Sequence, residues 1–97
     1  MQARVTTISM QPDKVEEATR IYRDNILPSI RASKGFKGAY LLTDATTGKG
    51  LSFTIWETQE DGQAYEASGS YREQVAKVAM FFSAPPSLAT YEVGVQG

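Results

Sequence analysis

The sequence contains no cysteine and no histidine, so its chemistry depends on aromatic, arginine and hydroxyl side chains. Disulfides, thiolate metal sites and cysteine or histidine catalysis are therefore excluded. The remaining candidates cluster after one tryptophan, since Trp56 is followed by Tyr65, Tyr71 and Arg72. An arginine can hold an anionic oxygen, an indole N–H can donate a hydrogen bond, and a tyrosine can relay a proton. The sequence predicts a site of this kind with no bound metal or cofactor.

The charge balance argues against large anionic partners. Ten Lys and Arg residues stand against eleven Asp and Glu residues, which gives a net charge of -1. Nucleic acids and anionic membranes need clustered positive charge, so neither is expected as a partner. No apolar run reaches a spanning length, and no basic segment followed by an apolar one marks a secretion signal. We expect residues 1–97 to form a single cytoplasmic domain.

Hydrophobic periodicity switches between the spacings of strands and helices in a definite order. That order is βαββαβ, which predicts an α+β, ferredoxin-like plait with both helical regions on one face of a four-stranded antiparallel sheet. The predicted elements are strand 1 (Arg4 to Met10), helix 1 (roughly 12 to 33), strand 2 (Phe36 to Asp44), strand 3 (Leu51 to Glu57), a helical region (58 to 84) and strand 4 (Leu88 to Gln96).

Local signals refine the helices. Pro28 lies inside the helix 1 pattern and is expected to kink or loosen its last turn. Thr58, three residues before Asp61, is the predicted cap of a short helix, and Ser70 is the predicted cap of the helix that follows. The helix 1 stripe recurs every three or four residues and consists of Val15, Ala18, Tyr22, Ile26 and Ile30.

The helical regions can cover only one face of the sheet, and strands 2 and 3 carry no charged residues across the middle of either face. In strand 3, one side carries Leu51, Phe53 and Ile55, and strand 2 carries Tyr40 and Leu42 on one side. At about 25 cal/mol per Å², covering a few such side chains contributes several kcal/mol. We expect a homodimer packed sheet against sheet. The alternative is a monomer with a mixed face that also contains threonine and serine.

Two short motifs resemble those of the antibiotic biosynthesis monooxygenase family of dimeric α+β barrels. They are the element formed by Gly35, Phe36 and Gly38, and the corner where Trp56 and Glu57 end strand 3. The family includes cofactor-independent oxygenases of polyketide phenols, haem-degrading oxygenases and quinol-handling enzymes. The haem-degrading branch uses a histidine and a strand 1 asparagine, and this chain has neither. The resemblance therefore implies a cofactor-independent monooxygenase acting on an aromatic, quinone-like or polyketide-like molecule.

The resemblance also assigns roles to residues. Trp56 corresponds to the strand 3 tryptophan of the family, and Ser52 stands where the polyketide branch has an asparagine. Such an oxygenase needs an aromatic wall and a cation or donor aimed at the oxyanion. We predict Trp56 and Arg72 as the catalytic residues. The predicted substrate-binding residues are Tyr22, Ser52, Tyr65 and Tyr71.

Several alternatives stay open at this point. Trp56 and Tyr71 can be core residues, and Arg72 can be a solvated residue of the first helical turn. The whole chain can be a non-catalytic dimer that binds a small apolar ligand or acts as a stress or regulatory module. An amino-acid sensor domain of the ACT type shares the βαββαβ order. RNA-recognition domains share it too, but the slightly acidic composition argues against that function.

Overall fold

The computed structural model describes all residues from 1 to 97, and its strands form one antiparallel sheet. The strands are β1 (Gln2–Ser9), β2 (Phe36–Thr43), β3 (Lys49–Trp56) and β4 (Ser87–Glu92). Their order across the sheet is β2-β3-β1-β4. This is the ferredoxin-like α+β fold that the element order predicts.

The helices pack on one face of the sheet. A helical run over residues 12–31, called the first helical run below, joins β1 to β2. It comprises a 3₁₀ turn (Pro12–Lys14), α1 (Val15–Ile21), a π-helical segment (Tyr22–Ile26) and α2 (Leu27–Arg31). Between β3 and β4 lie α3 (Gln59–Glu66) and α4 (Gly69–Ala79). No helix is long and apolar enough to cross a membrane.

The π-helical segment explains how the first helical run tolerates its proline. Pro28 has no N–H to donate within the helix. One turn earlier, the Leu27 N–H donates to the carbonyl of Tyr22, five residues back. The helix therefore continues through Pro28. The prediction that its last turn loosens is wrong, because the irregular turn lies before Pro28 and the last turn is α-helical. Such turns recur at functional sites, and this one begins at Tyr22.

The predicted N-cap of α3 is confirmed, and the predicted N-cap of α4 is not. The Thr58 hydroxyl accepts from the Asp61 N–H at 3.1 Å, as predicted. The prediction for Ser70 is wrong, because Ser68 caps α4 by accepting from the Tyr71 N–H at 3.1 Å. The helix begins at Gly69, so Ser70 lies inside its first turn. The Ser70 hydroxyl instead lies 2.5 Å from that of Ser29.

Two small buried clusters hold the helices on the sheet. One centres on Met10 and Val15 and includes Phe81, while the other consists of Ile26, Ile30 and Trp56. The predicted stripe of the first helical run therefore faces the sheet, with four of its five residues buried and Tyr22 half-buried.

The sheet face opposite the helices, called the outer face below, is apolar and uncovered. The strand registers place Tyr40, Phe53, Val5 and Ala89 in one row across all four strands. Leu42 is 49% exposed, Tyr91 59% and Tyr40 66%. The predicted apolar face is therefore present. Its β4 part is shorter than predicted, because pairing ends at Glu92 rather than at Gln96.

Candidate functional site

A cavity of about 120 Å³ lies between the helices and the sheet, with an opening to solvent. Its lining is mostly apolar and includes Ile8 of one buried cluster, Phe82 packed against that cluster, and Ile26 and Ile30 of the other cluster. An apolar cavity of roughly 150 Å³ in another protein holds a benzene molecule. The space is thus on the scale of one aromatic ring with small substituents.

Four of the six predicted site residues line this cavity. Tyr22 enters it from the π-helical segment, and Ser52 enters it from the helix-facing side of β3. Tyr65 in α3 and Tyr71 in α4 complete the set. The fold thus brings together residues that are up to 49 positions apart in the sequence.

Trp56 at the end of β3, Tyr65 in α3 and Tyr71 in α4 form a chain of aromatic contacts. The rings of Trp56 and Tyr65 are stacked with centroids 5.4 Å apart and planes inclined by 28°. Tyr65 in turn meets Tyr71 edge to face at 5.5 Å. Tyr65 therefore presents one rigid aromatic wall to the cavity, held from both sides.

Trp56 lies behind this wall and does not line the cavity. It is completely buried, and its indole N–H donates to the Thr54 hydroxyl at 2.9 Å. Phe36 packs against its edge at a centroid distance of 6.0 Å. In this structure Trp56 supports Tyr65, and its N–H is already engaged by another side chain.

Arg72 is exposed and lies outside the cavity lining, whereas Arg4 is a cation within it. Only 7% of Arg4 is exposed. Arg4 is absent from the predicted site residues because the sequence does not show which side of strand 1 faces the helices. The real strand begins at Gln2, and Arg4 shares its helix-facing side with Thr6. Side chains alternate between the two faces along a strand, and applying this alternation to β1 from Gln2 onwards could have placed Arg4 on the same side as Thr6.

Arg4 forms an ion pair with Glu66 of α3. A glycine makes this approach possible, since a Cβ at Gly62 would lie 2.8 Å from the Arg4 Cδ and 3.2 Å from a ring carbon of Trp56. Burial lowers the pKa of Arg4, and the nearby Tyr71 partly opposes this effect. Arginine nevertheless stays protonated in proteins, so the cavity contains a permanent positive charge.

Two polar atoms of the lining have no hydrogen-bond partner. They are the Tyr22 hydroxyl and the side-chain oxygen of Gln74. Burial raises the pKa of Tyr22, and the neighbouring Ser52 hydroxyl, whose geometry falls short of a hydrogen bond to Tyr22, partly offsets that rise. Leaving such a group unpaired costs about 1–3 kcal/mol, which a polar ligand would recover. The cavity therefore has a mostly apolar lining with two polar atoms that are free to hydrogen-bond to a ligand.

Burial also raises the pKa of Tyr65, with the Ser29 side chain acting in the opposite direction. Both Tyr22 and Tyr65 are therefore neutral at pH 7 and can donate a hydrogen bond to an anionic oxygen. No group of three or more acidic side chains is arranged to hold a metal ion. The charged groups at the cavity are Arg4 and Glu66 alone.

Residues 1–77 match the sequence profile of the antibiotic biosynthesis monooxygenase family. The chain belongs to this family. The matched part contains the first three strands, the first helical run, α3 and most of α4. It therefore includes every cavity-lining residue named above except Phe82.

Curated relatives of this antibiotic biosynthesis monooxygenase family member include two uncharacterized proteins of Mycobacterium tuberculosis. Rv2557 is 32% identical over 95 residues, which cover 94% of this chain and 40% of the relative. Rv2558 is 36% identical over 58 residues, covering 60% of this chain and 25% of the relative. The chain thus spans less than half the length of the curated relatives it matches.

Solved structures share the fold over nearly the whole chain. A Nitrosomonas europaea protein assigned to the antibiotic biosynthesis monooxygenases has a TM-score of 0.79 at 22% identity, covering 95% of this chain and 97% of that one. One from Bordetella bronchiseptica has a TM-score of 0.83 at 17% identity, covering 94% of both chains. Rv0793 of Mycobacterium tuberculosis has a TM-score of 0.75 at 19% identity, covering 94% and 92%. At these identities the similarity establishes the fold alone.

Proposed function

We propose that this protein is a cofactor-independent monooxygenase, an oxidoreductase that oxidises a small aromatic or quinone-like molecule whose reacting ring enters the cavity. A polyketide-like substrate would have to leave its other rings outside, since the cavity has room for about one ring. One observation carries the proposal. A mostly apolar cavity of ring size places the buried cation of Arg4 and the unpartnered hydroxyl of Tyr22 on one lining. This is the combination that binds an aromatic body and stabilises one anionic oxygen.

The substrate itself is the reductant in such a reaction. An ionised phenol transfers one electron to O₂, and the resulting superoxide combines with the phenoxyl radical at a ring carbon. The peroxide anion takes up the proton that the phenol released. The hydroperoxide then loses water, made from its outer OH and the hydrogen of the same ring carbon, and leaves a quinone. One oxygen atom therefore enters the product and the other leaves as water. The protein must hold the phenolate, keep water away from the radical pair and admit O₂.

The cavity residues divide these tasks. Arg4 holds the ionised oxygen, and Tyr22 donates a hydrogen bond to it, because its raised pKa keeps it protonated at neutral pH. Tyr65 and Tyr71 contact the ring face and edge. Trp56 fixes Tyr65 from behind, so we propose a positioning role for it in place of direct contact with substrate.

We further propose that two copies associate through the outer face. Rows of uncharged side chains cross all four strands there, and Tyr40 and Tyr91 are more than half exposed. At about 25 cal/mol per Å², covering this surface would contribute several kcal/mol to association. The single domain over residues 1–97 and the cytoplasmic location remain predictions within the same proposal.

A second candidate is a non-catalytic dimer that binds a small apolar or aromatic ligand in the same cavity. It is favoured by the positions of the two predicted catalytic residues. The Trp56 N–H is occupied by Thr54, and Arg72 is exposed outside the cavity. Such a protein would bind the same ligands and consume no oxygen.

Oxygen uptake with a panel of anthrones, hydroquinones and phenols tests the proposal. We expect one class to be consumed, with one atom from ¹⁸O₂ in the product, and Arg4→Gln and Tyr22→Phe to slow turnover by about tenfold or more. Arg31→Gln is the matched control, since Arg31 is exposed on the first helical run. Loss of turnover in Arg72→Gln but not in Arg4→Gln would show that the cation is wrongly assigned. Ligand binding without oxygen uptake would favour the second candidate.

A further inference from the structure

The ion pair inside the cavity is unequal in its exposure to water. The Arg4 side chain is 9% exposed, whereas that of Glu66 is 39% exposed. Separating the pair would leave Arg4 as a buried charge without compensation, which is strongly destabilising. Glu66 would regain much of its hydration by turning outward. Arg4 must therefore keep an anion beside it, but that anion need not be Glu66.

The position of Glu66 in its helix supports this difference. Glu66 is the last residue of α3, where the unpaired carbonyl groups give the helix its negative end. An acidic side chain is disfavoured at that end. The helix therefore does not stabilise the carboxylate of Glu66, and the contact with Arg4 is its main attraction towards the cavity.

We propose that Glu66 is a displaceable counter-ion, which occupies the anion site at Arg4 until the ionised oxygen of an aromatic ligand replaces it. The exchange keeps the cavity electrically neutral when the ligand carries one negative charge. A dianion would leave excess negative charge in an apolar space, and a neutral ligand would leave the ion pair in place. The site therefore selects aromatic monoanions, and this selectivity rests on the proposed function of the cavity.

The unpartnered polar atoms fit the same exchange. A carboxylate or phenolate oxygen at Arg4 has lone pairs left for further donors. The Tyr22 hydroxyl and the Gln74 side-chain oxygen belong to residues that line the cavity, and neither atom has a hydrogen-bond partner within the chain. Glu66 leaves these groups unused, whereas a ligand that reaches past the ion pair can engage them.

A pair of probes with nearly the same shape and different charge tests the proposal. We suggest 4-ethylbenzoate and 4-ethylbenzamide, titrated by calorimetry into the wild type and into Glu66→Gln, Arg4→Gln and Glu60→Gln. The carboxylate of the first probe stands in for an ionised phenol and is not oxidised. Glu60 is the matched control, because it is an exposed acidic residue of the same helix.

We expect Glu66→Gln to bind 4-ethylbenzoate about tenfold more tightly, because the competing carboxylate is gone, with little change for the amide. Arg4→Gln should lose the preference for the anion, and Glu60→Gln should resemble the wild type. Glu66→Gln keeps a side chain of the same shape but leaves Arg4 without an anion, so it should be less stable than the wild type in the absence of ligand. The preference of the wild type for 4-ethylbenzoate over the amide tests the proposal without either variant.

Two results would overturn the proposal in distinguishable ways. If Glu66→Gln changes the affinity for both probes by the same factor, or for neither, the ion pair only holds α3 on the sheet and this inference fails alone. If the wild type and Glu66→Gln bind neither probe, the cavity is not a ligand site, and the proposed function fails together with it.

Discussion

Single side chains decide the chemistry of this molecule, because the cavity contains few polar groups. Arg4 supplies the positive charge, and Tyr22 supplies a donor that stays protonated at neutral pH. Four of the lining residues were predicted from the sequence: three tyrosines from the aromatic wall that the chemistry needs, and Ser52 from the family resemblance. Arg4 was not predicted, although it shares a side of the predicted strand 1 with Thr6 and Ile8, because the sequence does not show which side of that strand faces the helices.

The buried hydroxyl of Tyr22 gives the first prediction. Its pKa lies above the usual value of 10.0 because burial disfavours the phenolate. The difference in absorbance at 295 nm between the wild type and Tyr22→Phe should therefore titrate above pH 10. A difference titration centred at or below pH 10 would show that this hydroxyl is not desolvated.

The same pKa shift has a consequence for stability. Because the pKa of Tyr22 is higher in the folded than in the unfolded chain, the native state binds the phenolic proton more tightly than the unfolded state does. The stabilisation is present below pH 10 and is lost as the pH rises through the native pKa. Urea unfolding at pH 8 and pH 11 should show a larger alkaline loss of stability for the wild type than for Tyr22→Phe. Equal losses would contradict the assignment.

Trp56 gives a third prediction at the same scale. It is completely buried against Tyr65 and Phe36, so Trp56→Ala should lower the free energy of unfolding by about 3–5 kcal/mol. Chemical denaturation measures this directly. A loss below about 1 kcal/mol would mean that the residue is not the core support described here.

At the scale of elements, the close approach of α3 to the sheet holds the ion pair in the cavity. Gly62 allows this approach, and its importance could not be predicted from the sequence, where it is simply a glycine inside a helix. The helix pattern predicted the first helical run and its buried stripe, because apolar spacing reports the direction that faces the sheet. The cap of α4 was misplaced by two residues, since Ser68 and Ser70 offer the same hydroxyl and only the backbone path distinguishes them.

Replacing each of two glycines by alanine tests the close approach of α3 to the sheet. Gly62→Ala puts a methyl group 2.8 Å from the Arg4 Cδ, so α3 or Arg4 must shift, and both stability and anion binding should decrease. Gly69→Ala is the control, because nothing lies within 4 Å of its Cβ position and alanine favours the helix by up to about 1 kcal/mol. Thermal unfolding of both variants checks the prediction. Similar effects of the two substitutions would contradict the close approach.

At the scale of the whole molecule, an apolar outer face remains uncovered on one side of the sheet. Its presence could be predicted from strand parity, because both sides of β2 and β3 lack charged residues across their middle. The spacing of residues within the strands cannot predict what covers this face, because that depends on a second molecule. A homodimer would hide it and would leave the cavity on the other side of the sheet.

Two lysine substitutions test this arrangement. Tyr40 and Met80 are 66% and 69% exposed, so neither substitution should unfold the chain. In sedimentation at micromolar concentration, the wild type and Met80→Lys should have twice the mass of the 10.6 kDa chain, and Tyr40→Lys should have the mass of one chain. A wild type that sediments as single chains would contradict the dimer.

The central claim is that the cavity between the helices and the sheet binds an anionic aromatic ligand at Arg4. Chemical-shift mapping by NMR with 4-ethylbenzoate tests it most directly. The claim predicts that the Arg4 side-chain Nε–H and the amides of Ser52 and Tyr65 shift together on titration. Shifts confined to outer-face residues such as Tyr40 and Phe53, with Arg4 unmoved, would contradict it.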